Sequence, residues 1–218
     1  MKTLHLLLGA QSLVLVAASV NRLSDATDVE LLPHGALRLV DVLNLLVIAP
    51  AGVLVFHALL EHLDTGSRRL RLAFTAAAYL FAASYGMHEA ADYLGARFCP
   101  GDAELCAIVA YQDDELSHLL FFAGFTGIAA VLLAAQATAG GPVAGSDRAL
   151  VLANATLVAA AIVANLSFEE IGLDLLAVAA VAVLAVALWG RCGPRPLILY
   201  FASSYTAGLA VTAALTMQ

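Results

Sequence analysis

The side chains best suited to chemistry lie in one stretch of the chain, between positions 84 and 118. This stretch holds seven titratable residues in a sequence that is otherwise mostly apolar: His88, Glu89, Asp92, Asp113, Asp114, Glu115 and His118. A charged side chain near the centre of a membrane costs about 2.5–3.5 kcal/mol on insertion scales, so such a cluster is typical of a functional site. Imidazoles and carboxylates are ligands of Zn²⁺, and a carboxylate-rich set also suits iron or manganese. The cluster therefore predicts a bound metal ion.

Helical spacing indicates which of these groups face each other. Residues four apart lie on one face of an α-helix, so Ser84, His88 and Asp92 form one stripe. Asp114 and His118 form a second stripe on the next helix. The two helices are predicted to be antiparallel neighbours joined by a short loop. We therefore predict that the metal is held by these ligands: His88, Asp92, Asp114 and His118.

Two other interpretations fit the same residues. A proton relay could use the imidazoles and carboxylates without a metal, and polar side chains at a helix end often reach into water. Reaching into water is the favoured interpretation for Asp113, and for Glu89 taken by itself. It fits His88 less well, because that residue is predicted to lie about two turns inside its helix.

Further polar groups are expected at the same end of the molecule and could complete the metal site or orient its ligands. They come from the second helix and from the turn between the fifth and sixth helices: Asp41, Asn44, Asn165, Glu169, Glu170 and Asp174. For Glu169 and Glu170 a solvated loop is the favoured interpretation. His57 and Glu61 are also four apart, but they lie at the opposite end of the second helix and are interpreted as an interfacial pair.

Composition determines the class of fold. The 218 residues are 62% hydrophobic and 12% charged, with a mean hydropathy of +0.90. Soluble domains are roughly 45–50% apolar and 25% charged, and apolar runs of about 20 residues can cross a membrane as helices. We predict an all-α, polytopic seven-helix transmembrane bundle that forms a single domain over residues 1–218. Its helices are expected at about 3–20, 37–61, 71–95, 107–136, 148–166, 171–189 and 196–216.

Basic residues predict the orientation of the bundle, because Lys and Arg in short loops stay preferentially on the cytoplasmic side. With the N-terminus inside, seven of the ten basic residues fall on that side. We therefore predict a cytoplasmic N-terminus and an outer C-terminus, in the plasma membrane. Cys99 and Cys106 then bracket an outer loop, where a disulfide is expected if the compartment is oxidising, and Cys192 is left as a lone thiol. Residues 3–20 would also suit a signal peptide, but we interpret them as a first helix.

Two features exclude other classes of protein. Lys2 is the only lysine, so the bundle has no internal lysine for a retinal Schiff base. The formal net charge of −7 argues against a nucleic-acid partner and makes the outer mouth attractive to cations.

The motifs of this stretch resemble those of one family. Ser84-x-x-x-His88, followed by Asp-Glu-Leu at 114–116, is similar to elements of the alkaline ceramidases. These belong to the CREST group of seven-helix, zinc-dependent membrane hydrolases. The resemblance implies zinc binding by His88, with Ser84 and Asp114 activating or holding the metal-bound water. It covers only the stretch from 84 to 118.

Two parts of the family pattern differ here, and one is that the spacing between the two elements is longer. The family's other two zinc ligands form a His-x-x-x-His motif on the last helix, which has no histidine in this chain. His118 and Asp92 would have to replace them.

We therefore predict a metal-dependent hydrolase that acts on a lipid amide or ester near the outer leaflet. A zinc ion would lower the pKa of its bound water to about 7 and polarise the carbonyl, while Glu115 or Glu89 moves the proton. A membrane lipid is the expected partner, with its acyl chain between the helices. A divalent-cation or proton transporter could use the same cluster, although only His57 and Glu61 continue a polar path to the inner face. A third alternative is a sensor or structural subunit in which the cluster fastens two helices.

Overall fold

The structure is a computed structural model that describes residues 2–33, 37–63, 65–99, 101, 103–143, 145–168 and 172–216, without the side chains of 167 and 168. Almost all of these residues are helical, which confirms the all-α prediction. They form seven long helices: α1 (Lys2–Leu23), α2 (Leu39–His62), α3 (Arg68–Phe98), α4 (Glu104–Thr138), α5 (Gly145–Phe168), α6 (Leu173–Cys192) and α7 (Pro196–Thr216). Two short strands pair antiparallel between α1 and α2: β1 (Glu30–Leu32) and β2 (Leu37–Arg38).

Six helices among the described residues are long and apolar enough to cross a membrane, so the chain is an integral membrane protein. The exception is α3, which begins with three arginines within four residues and carries His88, Glu89 and Asp92 towards its other end. These polar side chains lower its hydropathy. The helix that is least suited to lipid therefore carries most of the candidate site.

The helices begin and end within a few residues of the positions predicted from the sequence. The third was predicted over 71–95 and runs over Arg68–Phe98, because the Ser67 hydroxyl accepts a hydrogen bond from the Leu70 amide at 3.4 Å and caps it earlier. The second was predicted to begin at 37 but begins at Leu39, because the two residues before it belong to β2.

In the part of the chain that the structure describes, two helices contain a π turn beside the candidate site. In α2 the turn covers Asn44–Ile48, and in α4 it covers Tyr111–Ser117. In a π turn the hydrogen bonds connect residues five apart rather than four, and such turns occur frequently at functional sites. Side chains five apart therefore come to share a face there, which changes the register of α4 relative to an ideal α-helix.

The hairpin of α3 and α4 is held together at two places, at its loop and further along the two helices. A disulfide joins Cys99 to Cys106 across its loop, as the sequence predicted for an oxidising compartment, and Cys192 is a free thiol. Further along, Gly124 of α4 lies directly against the backbone of Ala77 and Phe81 in α3. The close approach holds the polar stripes of the two helices opposite each other. We call the end of the bundle at the disulfide the hairpin end.

Candidate functional site

A cavity of about 240 Å³ lies between the helices, and all seven contribute to its walls. Towards the hairpin end its walls include these polar residues: Arg22, Asn44, Ser84, His88, Glu89, Ser117, His118, Asn165 and Asp174. Deeper in the bundle the walls include Phe56, Phe81, Phe125 and Ile162. An apolar pocket with a few convergent polar groups is the usual form of a small-molecule site. This cavity suits a molecule with a polar head and an apolar chain.

His88 and Asp113 form the central pair of the site. The Nδ1 atom of His88 lies 2.7 Å from the Oδ1 atom of Asp113, and both atoms are buried. The distance is that of an ion pair, although the ring N–H is not aligned for a hydrogen bond. With Nδ1 facing the carboxylate, the other ring nitrogen, Nε2, is the one left to accept a proton.

His118 lies beside this pair. Its ring centre is 5.4 Å from that of His88, with the two planes tilted by 59°. Its Nδ1 is 2.6 Å from the backbone oxygen of Asp114. A carbonyl oxygen only accepts hydrogen bonds, so Nδ1 of His118 donates and Nε2 is its basic nitrogen. The two imidazoles therefore adjoin each other on the cavity wall, as the sequence predicted.

Asp113 occupies the position that helical spacing gave to Asp114. In an ideal α-helix, the residue four before His118 shares its face, and that residue is Asp114. The π turn over Tyr111–Ser117 aligns residues five apart, so Asp113 turns towards His88 instead. The expectation that Asp113 reaches into water was therefore wrong, since its side chain is only 18% exposed.

Asp92 is held by an arginine. Arg38 of β2 donates through Nη2 to Asp92 at 2.6 Å and to Asp41 at 2.9 Å, and Asp28 lies 3.6 Å from its other terminal nitrogen. The hydrogen bond to Asp41 raises the pKa of the Arg38 guanidinium above its usual value, so this charge is permanent. The predicted ligand Asp92 thus points to a cation of the protein itself.

Glu89 faces the cavity from α3 and joins a polar network with α1 and α2. Its Oε1 accepts a hydrogen bond from Nδ2 of Asn44 at 2.7 Å, and Oδ1 of Asn44 accepts one from Asn21 at 2.8 Å. Glu89 is therefore a polar group of the cavity wall that Asn44 of α2 holds in place.

The other predicted site residues do not contact the His88–Asp113 pair in any described hydrogen bond or ion pair. Asp114 and Glu115 are exposed and do not line the cavity. Ser84 is buried on the cavity wall, and its hydroxyl donates to the backbone oxygen of Phe81 at 2.7 Å. Asn165 donates to Ser19 at 2.9 Å. The positions of Glu169 and Glu170 lie outside the described residues.

The donor set does not fit a metal ion. Of the four predicted ligands, only His88 and His118 adjoin, because Asp92 binds Arg38 and Asp114 is exposed. Within the described ranges, no three His, Cys, Asp or Glu side chains are grouped as metal ligands would be. A zinc, iron or manganese site needs at least three protein ligands in most cases.

Three residues of the site were not predicted from the sequence: two on the cavity wall, and the partner of His88. Gln11 and Arg22 belong to α1, which was interpreted only as an apolar span, and Asp113 was assigned to solvent. A glutamine inside an apolar run of a membrane helix is a recognisable signal, because an unpaired amide is costly there. The role of Asp113 depends on the π turn.

His57 and Glu61 form the pair predicted at the opposite end of α2. Their charged atoms are 4.0 Å apart, and both side chains are more than half exposed. They do not line the cavity.

No protein-family model, curated protein or solved structure matches this chain significantly. Its class is therefore defined by its own fold and site. It is a helical integral membrane protein with an interhelical cavity, and a histidine that is paired with an aspartate lies on the wall of that cavity.

Proposed function

We propose that this protein is a membrane hydrolase that cleaves an ester or amide bond of a lipid held in the interhelical cavity. One observation carries the proposal: His88, whose ring is paired with Asp113, lies on the wall of a cavity that is polar at one end and apolar deeper in. A histidine oriented by a carboxylate is the usual general base for acyl transfer. The apolar walls give room for an acyl chain beside that base.

The reaction follows from the positions of the side chains. Nε2 of His88 takes a proton from a water molecule as the water oxygen attacks the acyl carbon, and Asp113 stabilises the imidazolium that forms. The acyl C–O or C–N bond then breaks, and the leaving oxygen or nitrogen receives that proton from Nε2 of His88. Because the Ser84 hydroxyl is bonded to the Phe81 carbonyl, water rather than serine is the nucleophile.

No metal takes part in this mechanism, because the described donors do not converge as ligands. Zinc, with iron or manganese as alternatives, stays a prediction from the spacing of the sequence and from the resemblance to the alkaline ceramidases. The substrate of the proposed hydrolase is the lipid ester or amide that was predicted from the sequence. The attacking water is activated by His88 rather than by a bound metal.

The hydrolase is tested with purified protein in nanodiscs and a panel of lipid esters and amides of different head groups. We expect fatty acid release that a strong chelator does not reduce. His88→Gln should lower the rate about 10²–10⁴-fold, the usual contribution of a general base. Release of product is followed by mass spectrometry, and thermal unfolding of the variant confirms that it folds. No release from any member of the panel, or release that a chelator stops and zinc restores, contradicts this mechanism.

The orientation of the bundle is also proposed. We infer seven membrane spans, a cytoplasmic N-terminus and an outer C-terminus, with the hairpin end facing outwards from the plasma membrane. The excess of Lys and Arg at the opposite end supports this orientation. The Cys99–Cys106 disulfide supports it independently, because disulfides persist in oxidising compartments. The cavity then receives lipid near the outer leaflet.

Thiol labelling on intact cells tests this orientation. After reduction by a membrane-impermeant phosphine, an impermeant maleimide should label Cys99 and Cys106. Cys192→Ser should lose none of that labelling, because Cys192 is expected on the cytoplasmic side. In a variant with Cys99 and Cys106 replaced by serine, labelling of Cys192 in intact cells would show that the bundle has the opposite orientation.

Transport of a proton or cation has less support. Most polar side chains of the cavity wall lie at the hairpin end, and the wall deeper than Ser84 includes Phe56, Phe81 and Phe125, with Gln11 as a polar group among them. A sensor or structural subunit stays the third alternative. It would be favoured if variants of His88 lowered thermal stability without any effect on turnover or ligand binding.

A further inference from the structure

Gln11 is a buried amide that faces the cavity without a partner. The residue is 1% exposed, it lines the cavity, and neither its Nε2 nor its Oε1 has a hydrogen-bond partner. Its neighbour Ser12 is satisfied by the Leu8 carbonyl and the Tyr200 hydroxyl, at 2.9 and 3.1 Å. A buried amide left unpaired is costly, and each such group in a native structure calls for a partner. Gln11 therefore offers one donor position and one acceptor position to a molecule in the cavity.

Asp174 is a second unpartnered group on the same cavity, at the hairpin end. The residue is 5% exposed, and its Oδ1 accepts a hydrogen bond from the Leu175 amide at 2.6 Å. Its Oδ2 is buried and has no partner. This oxygen needs a donor, such as a hydroxyl or an N–H group, from whatever occupies the polar end of the cavity.

The two groups lie at different depths. Asp174 is in the first turn of α6, at the hairpin end, whereas Gln11 is eleven residues from the cavity residue Arg22 along α1. At 1.5 Å per residue, that separation is about 16 Å along the helix axis. Between these levels the wall includes Phe81 and Ile162. A molecule that reaches both groups has polar ends and an apolar middle.

We infer that the cavity binds a single-chain lipid that carries a second polar group at the far end of its chain. This inference deepens the proposed function and rests on it for the nature of the ligand as a lipid. A cavity of about 240 Å³ that extends over this depth suits one unbranched chain better than a fused ring system. The head group donates a hydrogen bond to Asp174, and the chain end meets Gln11.

The chemistry of Gln11 identifies the group at the chain end as a hydroxyl. One hydroxyl can donate to Oε1 and accept from Nε2, so it satisfies both atoms of the amide. A carboxylate can only accept, and it would bring an uncompensated charge into the middle of the bundle. The ligand class is therefore an ω-hydroxylated acyl lipid with a hydroxyl-bearing head, such as a glycerol ester.

A pair of ether-linked probes tests the inference without any hydrolysis. Lauryl glyceryl ether and its ω-hydroxy analogue are compared for binding to the purified protein by native mass spectrometry. Wild type should bind the ω-hydroxy probe about tenfold more tightly, the ratio expected for one well-made hydrogen bond. In Gln11→Leu this preference should disappear, while the unsubstituted probe binds as well as it does to wild type. Asp174→Asn should weaken both probes equally, because it acts on the head group.

Each possible result of this comparison either supports or contradicts the proposed ligand. Equal binding of both probes to wild type would mean that water alone satisfies Gln11, and a preference that survives in Gln11→Leu would place the chain end elsewhere. If Gln11→Leu does not fold, Gln11→Met is compared instead, and the wild-type preference still decides. Because ethers are not cleaved, binding without hydrolysis would contradict only the proposed reaction. Hydrolysis without the preference would contradict only this inference.

Discussion

Replacing Gly124 with alanine is expected to disrupt the α3–α4 hairpin and to lower the yield of folded protein. A Cβ atom at this position would overlap the Phe81 backbone nitrogen and would lie 2.8 Å from the Ala77 backbone oxygen. Both obstacles are backbone atoms, so no side-chain rotation can relieve the overlap. Overpacking costs about 1–3 kcal/mol where side chains can move, and we expect the upper end of that range or more here. The gain in helix propensity, about 1 kcal/mol, is too small to offset it.

The matched control is Gly86→Ala in α3, where a Cβ atom would meet nothing within 4 Å. This variant should unfold at the wild-type temperature or slightly above it, because alanine favours the helix. Thermal unfolding of both purified variants in the same detergent makes the comparison. Unfolding of Gly124→Ala at the same temperature as Gly86→Ala would mean that the two helices do not approach as closely as described.

Much of the fold could be predicted from the sequence because one physical requirement dominates it. Backbone groups in lipid must be satisfied within a segment, so each apolar run of about 20 residues becomes a helix. α3 was predicted correctly as a helix although it is the most polar of the seven, because its apolar residues and its Ser67 cap outweigh the charges at its ends. The β1–β2 pair was not predicted, since two strands this short have no periodic pattern to read.

The site could be predicted only in part, because its details depend on departures from the ideal helix and on distant contacts. His88 and His118 were placed together correctly, since the α3–α4 hairpin is local in sequence. The choice between Asp113 and Asp114 depends on a π turn, which shifts the face by one residue and leaves no mark in the pattern of apolar residues. The contact of Arg38 with Asp92 joins residues 54 apart in the chain. No local rule predicts such a contact.

Asp113→Asn is expected to abolish most of the hydrolytic activity while leaving the fold intact. Asparagine has nearly the same shape, but it can present its NH₂ group to Nδ1 of His88. The ring would then carry its proton on Nε2, the nitrogen that must accept one from water, and the imidazolium would lose its counter-charge. We expect kcat to fall about 10²–10⁴-fold with little change in KM, since Asp113 acts through His88 rather than on the lipid. Initial rates with the best lipid substrate give both values.

Asp114→Asn is the matched control, because it makes the same chemical change one residue away on an exposed side chain. Its rate should stay within about tenfold of wild type, since Asp114 contributes only its backbone oxygen, to His118. The pair of variants also separates the two possible chemistries of this site. A metal-bound water held in the manner of the alkaline ceramidases requires Asp114, whereas a histidine base requires Asp113. If Asp114→Asn is inactive and Asp113→Asn is active, the histidine–aspartate mechanism is wrong. The result would then favour the predicted zinc site.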